Sequence, residues 1–317
     1  MHEDYKVFNT AESAYFIDDE PRLSWTERNG FPHWMMFIVW FLVAFFAFNI
    51  IGMIVAIFGI LFTMPDLSNP TVALENIMEN VGVMFWANTS GQVLSMGLGT
   101  LVALQLSAPK GKRKEFLRFN FPPKLGIYSI AAAVLTVAVF PTVNFLAWLN
   151  SFVPAPQSWL DMQESMAEMI SNFLKSDSTL VLGLLHIGLV PAVCEEIMFR
   201  GYLQRSMEKS VGVWGGILIT GFLFGAYHLQ ITNLLPLAFL GIMLCYITYV
   251  SNSIIPAMVA HLVNNGGQVI ASSYYPEMLD ETMTPQTEMP WLLIIASIIL
   301  SSAIVYGLFK IKVSAEE

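Results

Sequence analysis

The sequence predicts an all-α, polytopic membrane protein with about eight transmembrane helices and one or two amphipathic helices on the membrane surface. Three observations carry this prediction. Hydrophobic residues fill 55% of the 317 positions and charged residues only 12%, with mean hydropathy +0.60, whereas about 25% of a soluble domain is charged. Several apolar runs approach or exceed the roughly 20 residues that cross a bilayer as helix. The short alternating segments of a membrane β-barrel are missing, and helix is then the form that satisfies every backbone polar group in lipid.

Residues 1–33 are polar, with seven acids against Lys6, Arg22 and Arg28, and lack the apolar core and cleavage site of a signal peptide; they read as a cytoplasmic tail. A first span covers 34–64, with Asn49 and Gly52 as tolerable interruptions. Asn69-Pro70 reads as an N-cap and first-turn proline. Leu74, Ile77, Met78, Val81, Met84 and Phe85 follow at helical spacing, which predicts a surface helix leading into a second span near 86–106. A third span, 125–149, ends before Pro154 and Pro156. Trp159, Met162, Met166, Met169, Ile170 and Phe173 form a second apolar stripe, with Asp161, Glu164 and Glu168 off it. The fourth span starts near 179, and the others cover 211–228, 234–250, 254–271 and 291–309. Residues 34–309 thus form one helical membrane domain, followed by a short cytoplasmic tail at 310–317.

Lysine and arginine placement orients this arrangement, because cytoplasmic loops near span ends carry the excess. With an inside N-terminus, and Arg200 set aside as intramembrane, thirteen basic residues fall inside and Lys175 alone outside. Both termini are therefore expected in the cytoplasm. The net charge of −9 is segregated by loop, and no nucleic-acid partner is expected. Cys194 and Cys245 both lie in apolar segments, which argues against a disulfide framework.

Against this apolar background, a few polar residues need explaining, since an ionised side chain in hydrocarbon costs at least about 2.5–3.5 kcal/mol. Glu195, Glu196 and Arg200 share one span. Helical spacing pairs Glu196 with Arg200 and leaves Glu195, about 100° round the axis, without its own cation. Phe224 and His228 share a face of the fifth span, and His261 and Asn265 a face of the seventh. With a hairpin tip near Ser210, Glu195 and His228 lie at similar depths, roughly 22 and 27 Å from it. One cytoplasm-facing pocket can hold all four polar residues. His186 reads as a packing residue and Phe224 as core beside the site.

Such a set supports addition of water to an amide: a carboxylate takes the proton, an imidazole helps orient the water, and donors from His261 and Asn265 stabilise the oxyanion. The same atoms allow a second arrangement, with zinc held by Glu195, His228 and His261, although no H-E-x-x-H pair is present. Two readings from other classes use the pocket differently: a noncatalytic membrane immunity or signalling scaffold, and a transporter.

Glu195-Glu196-x-x-x-Arg200, Phe224-x-x-x-His228 and His261-x-x-x-Asn265, in that order on successive apolar segments, resemble the CPBP intramembrane proteases. This family includes type II CAAX prenyl endopeptidases and bacteriocin-processing or self-immunity proteins. The resemblance covers about 180–271, within a protease core of about 179–272. It implies an eight-helix endopeptidase open to the cytoplasmic side and acting on a membrane-bound protein or peptide, with membrane lipid as its other partner. In the CAAX enzymes it implies removal of the last three residues after a prenylated cysteine. By the same resemblance Glu195 and His228 activate water, His261 and Asn265 form the oxyanion site, and Glu196 with Arg200 gives structural support. The family is often labelled metalloprotease; a metal-free glutamate mechanism is favoured here, with one zinc as the alternative cofactor.

Overall fold

The computed structural model describes residues 23–63, 80–174, 180–275 and 283–316, and all regular elements among them are helical. α1 (Trp25–Arg28) is a single turn closed by a capping box, in which the Ser24 hydroxyl and the Glu27 carboxylate each accept from the other's backbone amide. Ser24 and Thr26 are buried, so this part of the expected tail is docked on the bundle. Residues 1–22 lie outside the described residues.

α2 (His33–Thr63) has 31 residues, roughly 46 Å of helix, and only 11% of its most apolar stretch is buried in the protein. It is a peripheral helix. α3 covers 81–107, with α-helix at Val81–Gly91 and Thr100–Ser107 and a wide π stretch at Gln92–Gly99 between them. Most of the amphipathic helix expected over 70–85 falls on 64–79, outside the described residues; its last positions, from Val81 on, belong to α3. α4 (Arg113–Phe116) is a turn in the basic loop. α5 (Leu125–Ala138) and α6 (Phe140–Asn150) form one broken element bent by 46°. Pro141 accounts for the break, since it lacks an amide proton and its ring clashes with the preceding turn. α7 (Gln157–Leu174) is helical as the second apolar stripe predicts.

Residues 180–227 run on as 48 helical residues, but the chain folds back at Gly212, whose φ of 81° suits glycine and strains other residues. The rings of Phe199 and Tyr227 lie 5.4 Å apart; 28 residues of straight helix would separate them by roughly 42 Å. Two antiparallel arms result, α8 over 180–211 and α9 over 213–227. α10 (Leu234–Ser251), α11 (Ile255–Tyr274) and α12 (Trp291–Glu316) complete the bundle. α12 continues through most of the stretch expected to be a C-terminal tail.

Four helical stretches are long and apolar enough to cross a bilayer, or five if α5 and α6 make one broken span. The expected eight is not reached on that measure. The hairpin enters it as one stretch, and polar residues dilute two further helices: Asn88, Thr89, Ser90 and Gln92 on α3, and His261, Asn264, Asn265 and Gln268 on α11. Those two helices carry part of the site.

Backbone-to-backbone packing sets α9 against α10. A Cβ added at Gly241 would stand 2.3 Å from the Gly221 carbonyl oxygen, so small residues set this approach. Two apolar cores flank the centre: Phe37, Met96, Phe199 and Tyr202 among α2, α3 and α8, and Leu135, Ile247, Ala257 and Leu308 among α5, α10, α11 and α12.

One end of the bundle is tied by charge. Buried Glu208, near the hairpin tip, accepts from Arg118 at 2.9 and 2.8 Å, Gln204 at 2.8 Å and Arg205 at 3.0 Å. Arg118 also donates to the Asn252 side chain at 3.2 Å. The basic loop, the hairpin tip and the turn at Asn252, expected on one side of the membrane, thus share one end of the fold.

Candidate active site

Glu195 and Glu196 sit on α8 between two π stretches, Leu184–Leu189 and Ile197–Leu203. Such wide turns are rare and concentrate at functional sites, because they free backbone carbonyls and re-aim side chains. Among the described residues there are three of them, the third being Gln92–Gly99 on α3, and all three adjoin the same polar cluster. The Ile187 carbonyl, within one, accepts from the Asn265 side chain at 3.0 Å.

Glu196 is fully buried, and its Oε1 serves two partners. Arg200 Nη1 donates to it at 2.8 Å and His261 Nδ1 at 2.7 Å. Arg200, also fully buried, donates Nη2 to the Gly241 carbonyl at 3.3 Å and lies 4.2 Å above the Phe224 ring. That cation–π contact contributes about 2 kcal/mol when desolvated. Phe224 therefore carries the Arg200 guanidinium as well as packing beside the site. With its Nδ1 proton directed at a carboxylate, His261 turns an Nε2 lone pair to the Asn265 amide at 3.2 Å. Asn264 in turn donates to Asn265 Oδ1 at 2.9 Å. The i,i+4 pairs read from the sequence, Glu196 with Arg200 and His261 with Asn265, form one continuous hydrogen-bonded chain.

Glu195 has a different setting. It is buried, yet among the described residues the one hydrogen bond it receives comes from Gln92 Nε2 at 3.4 Å, and its Oε2 has no hydrogen-bond partner. Oε2 faces His261 Nε2 at 4.0 Å, too far for a direct bond but within reach of a bridging water. Tyr227, on α9, is close enough to interact electrostatically with this carboxylate, and its buried hydroxyl also lacks a partner.

His228 stands at the end of α9, 16 residues after Gly212, and Glu195 17 before it, so the equal-depth expectation agrees with the observed fold. No hydrogen bond joins the two. His228 gives Nδ1 to the Phe224 carbonyl at 2.8 Å, which leaves its Nε2 lone pair available. It lines a cavity of about 40 Å³ with His261, Asn264 and Asn265, closed on the apolar side by Leu240 and Met243. Glu195 borders this cavity through His261 and does not line it.

The residues do not fit the zinc arrangement. Both ring nitrogens of His261 are engaged, by Glu196 and Asn265. Among the described residues, no group of three His, Cys, Asp or Glu side chains comes together as a metal site.

Gln92 and Tyr227 escaped the sequence reading. The signal for Gln92 was present, an amide in an apolar span, but nothing tied it to Glu195, 103 positions away. His186, read as a packing residue, is buried and bonded to Thr89 Oγ1 at 2.6 Å beside Phe85 and Trp86. Both cysteines are free and buried.

Residues 177–267 match the family described as type II CAAX prenyl endopeptidase Rce1-like. No curated protein and no solved structure matches the chain. The matched segment contains Glu195, Glu196, Arg200, Phe224, His228, His261 and Asn265, the residues just described. This segment is thus similar to the type II CAAX prenyl endopeptidases of the Rce1-like family, which supports a CPBP-type intramembrane protease.

Proposed function

We propose that the protein is an intramembrane endopeptidase that hydrolyses a peptide bond of a membrane-associated protein or peptide, with water activated by glutamate and histidine. One observation carries the reading: a buried carboxylate oxygen without a partner among the described residues, Glu195 Oε2, next to a small cavity that has His228, His261, Asn264 and Asn265 in an otherwise apolar lining. About 40 Å³ holds one or a few waters. Eight crossings with both termini in the cytoplasm accommodate this site, with α3, α5–α6, α11 and each arm of the hairpin counted as spans.

In this mechanism Glu195 removes a proton from water as the oxygen attacks the carbonyl carbon, and His228 Nε2 accepts the water's other hydrogen bond. The carbonyl π pair moves onto oxygen. Asn265 donates to that oxyanion with the amide hydrogen it otherwise gives to His261 Nε2, and His261, held through Nδ1 by Glu196, positions Asn265 at the oxyanion site. Collapse of the tetrahedral species expels the amine, which takes the proton from Glu195. Arg200 holds Glu196 in place throughout.

The test compares membrane-proteome cleavage products in cells carrying wild type or Glu195→Ala. The expected result is a set of new C-termini that require wild type. Identical product sets would overturn the reading in favour of a noncatalytic role.

A further inference from the structure

The Glu195 carboxylate is reached from outside the matched segment. Gln92, on α3, is 6% exposed and opens the π stretch Gln92–Gly99. Its Nε2 donates to Glu195 Oε1 at 3.4 Å, and its Oε1, like Glu195 Oε2 and the Tyr227 hydroxyl, is buried without a hydrogen-bond partner. Two of these atoms belong to the Gln92–Glu195 contact, and the third, on Tyr227 of α9, lies within electrostatic range of the same carboxylate. Buried polar atoms are nearly always paired, so an unpaired cluster marks a place where water or a reacting group is bound. A packing role at position 92 would be met by leucine or methionine at lower cost.

We infer that Gln92 is a positioning residue for Glu195: it holds Oε1 so that Oε2 is the oxygen that takes the proton of the attacking water, and the Tyr227 hydroxyl closes the same polar shell. This rests on the endopeptidase reading above. A carboxylate with one oxygen tethered cannot rotate its two oxygens through the site, which fixes the base relative to His261. The titratable groups facing Glu195 are His261 from α11 and Tyr227 from α9, with Cys194 and the Glu196–Arg200 pair on its own helix. Gln92 adds a neutral donor to them, so replacing it by a carboxylate places a like charge at hydrogen-bond distance.

The test uses the full chain reconstituted in phospholipid vesicles, with an internally quenched, farnesylated CAAX peptide as probe. Gln92→Met, which keeps the length and loses the donor, is expected to lower kcat about tenfold with KM unchanged. Gln92→Glu is expected to move the acid limb of the pH–rate profile up by about one pH unit or more. A second measurement needs no substrate: dicyclohexylcarbodiimide modifies protonated carboxyl groups in apolar surroundings, and peptide mass spectrometry reports modification of Glu195 against pH. Its midpoint is expected to rise in both variants, more in Gln92→Glu. Wild-type midpoints in both variants would overturn the inference, whether or not cleavage is lost, because a structural role alone would leave them in place. If wild type and Glu195→Ala give the same proteome products, the endopeptidase reading falls, and labelling alone decides the Gln92 contact.

Discussion

Glu195 and Glu208 are both buried carboxylates on the same helical arm, 13 positions apart, and they live in opposite surroundings. Both oxygens of Glu208 are taken, by four donors between 2.8 and 3.0 Å, two of them from Arg118. Glu195 has one long bond and a bare oxygen. The saturated carboxylate ties three loops at one end of the bundle and has no lone pair to spare for a reacting proton. The other has a free lone pair beside a cavity. Burial is common to these two carboxylates; the count of donors separates them.

The comparison can be broken in order of expected effect. Glu195→Ala should reduce cleavage by about 10²–10⁴-fold with an unchanged melting curve in detergent; substantial residual activity would end the distinction. Glu208→Ala should act on stability instead, costing about 3–5 kcal/mol because buried Arg118 loses its counter-charge. Thermal unfolding reports this, activity per folded molecule should stay near wild type, and the paired change Glu208→Leu with Arg118→Leu should recover most of the loss. Glu196→Gln lies between the two: Arg200 and His261 both lose a carboxylate partner, and misplacing His261 should cost about 10²-fold in kcat. Gly212→Ala should cost about 1–3 kcal/mol: the position has open space for a Cβ, but φ 81° with ψ 171° is a backbone region essentially restricted to glycine. Chelator treatment should change nothing; stoichiometric zinc whose removal abolishes cleavage would overturn the metal-free choice.

Much of the site was legible because its pairs are local. Glu196 with Arg200 and His261 with Asn265 are each four apart, and α-helical spacing alone puts them together. The reversal near Ser210 was legible too, displaced by two residues from Gly212, whose positive φ makes the turn. What escaped is non-local or depends on departures from regular helix. Gln92 reaches Glu195 across 103 positions, and no spacing rule connects them. The bond from Asn265 to the Ile187 carbonyl requires a π turn, which a reading in steps of 3.6 residues cannot foresee. The bend at Pro141 was within reach, since the proline stands in the apolar run. The helix runs on beyond the expected end of the last span at Phe309 and carries Lys310 and Lys312, the latter donating to the Tyr249 hydroxyl at 3.2 Å, a contact across 63 positions that no local spacing reveals.

The π stretches have a bearing on mechanical softness. A helix usually frays from its ends, where carbonyls and amides lack partners. Here wide turns lie in the middle of the helices as well, at 92–99, 184–189 and 197–203, next to Glu195. Amide hydrogens there should exchange faster than those of α10, although both are buried. A substrate strand entering the bundle would then meet the most yielding backbone where the bond is to be cut, with the bundle's outer turns still closed.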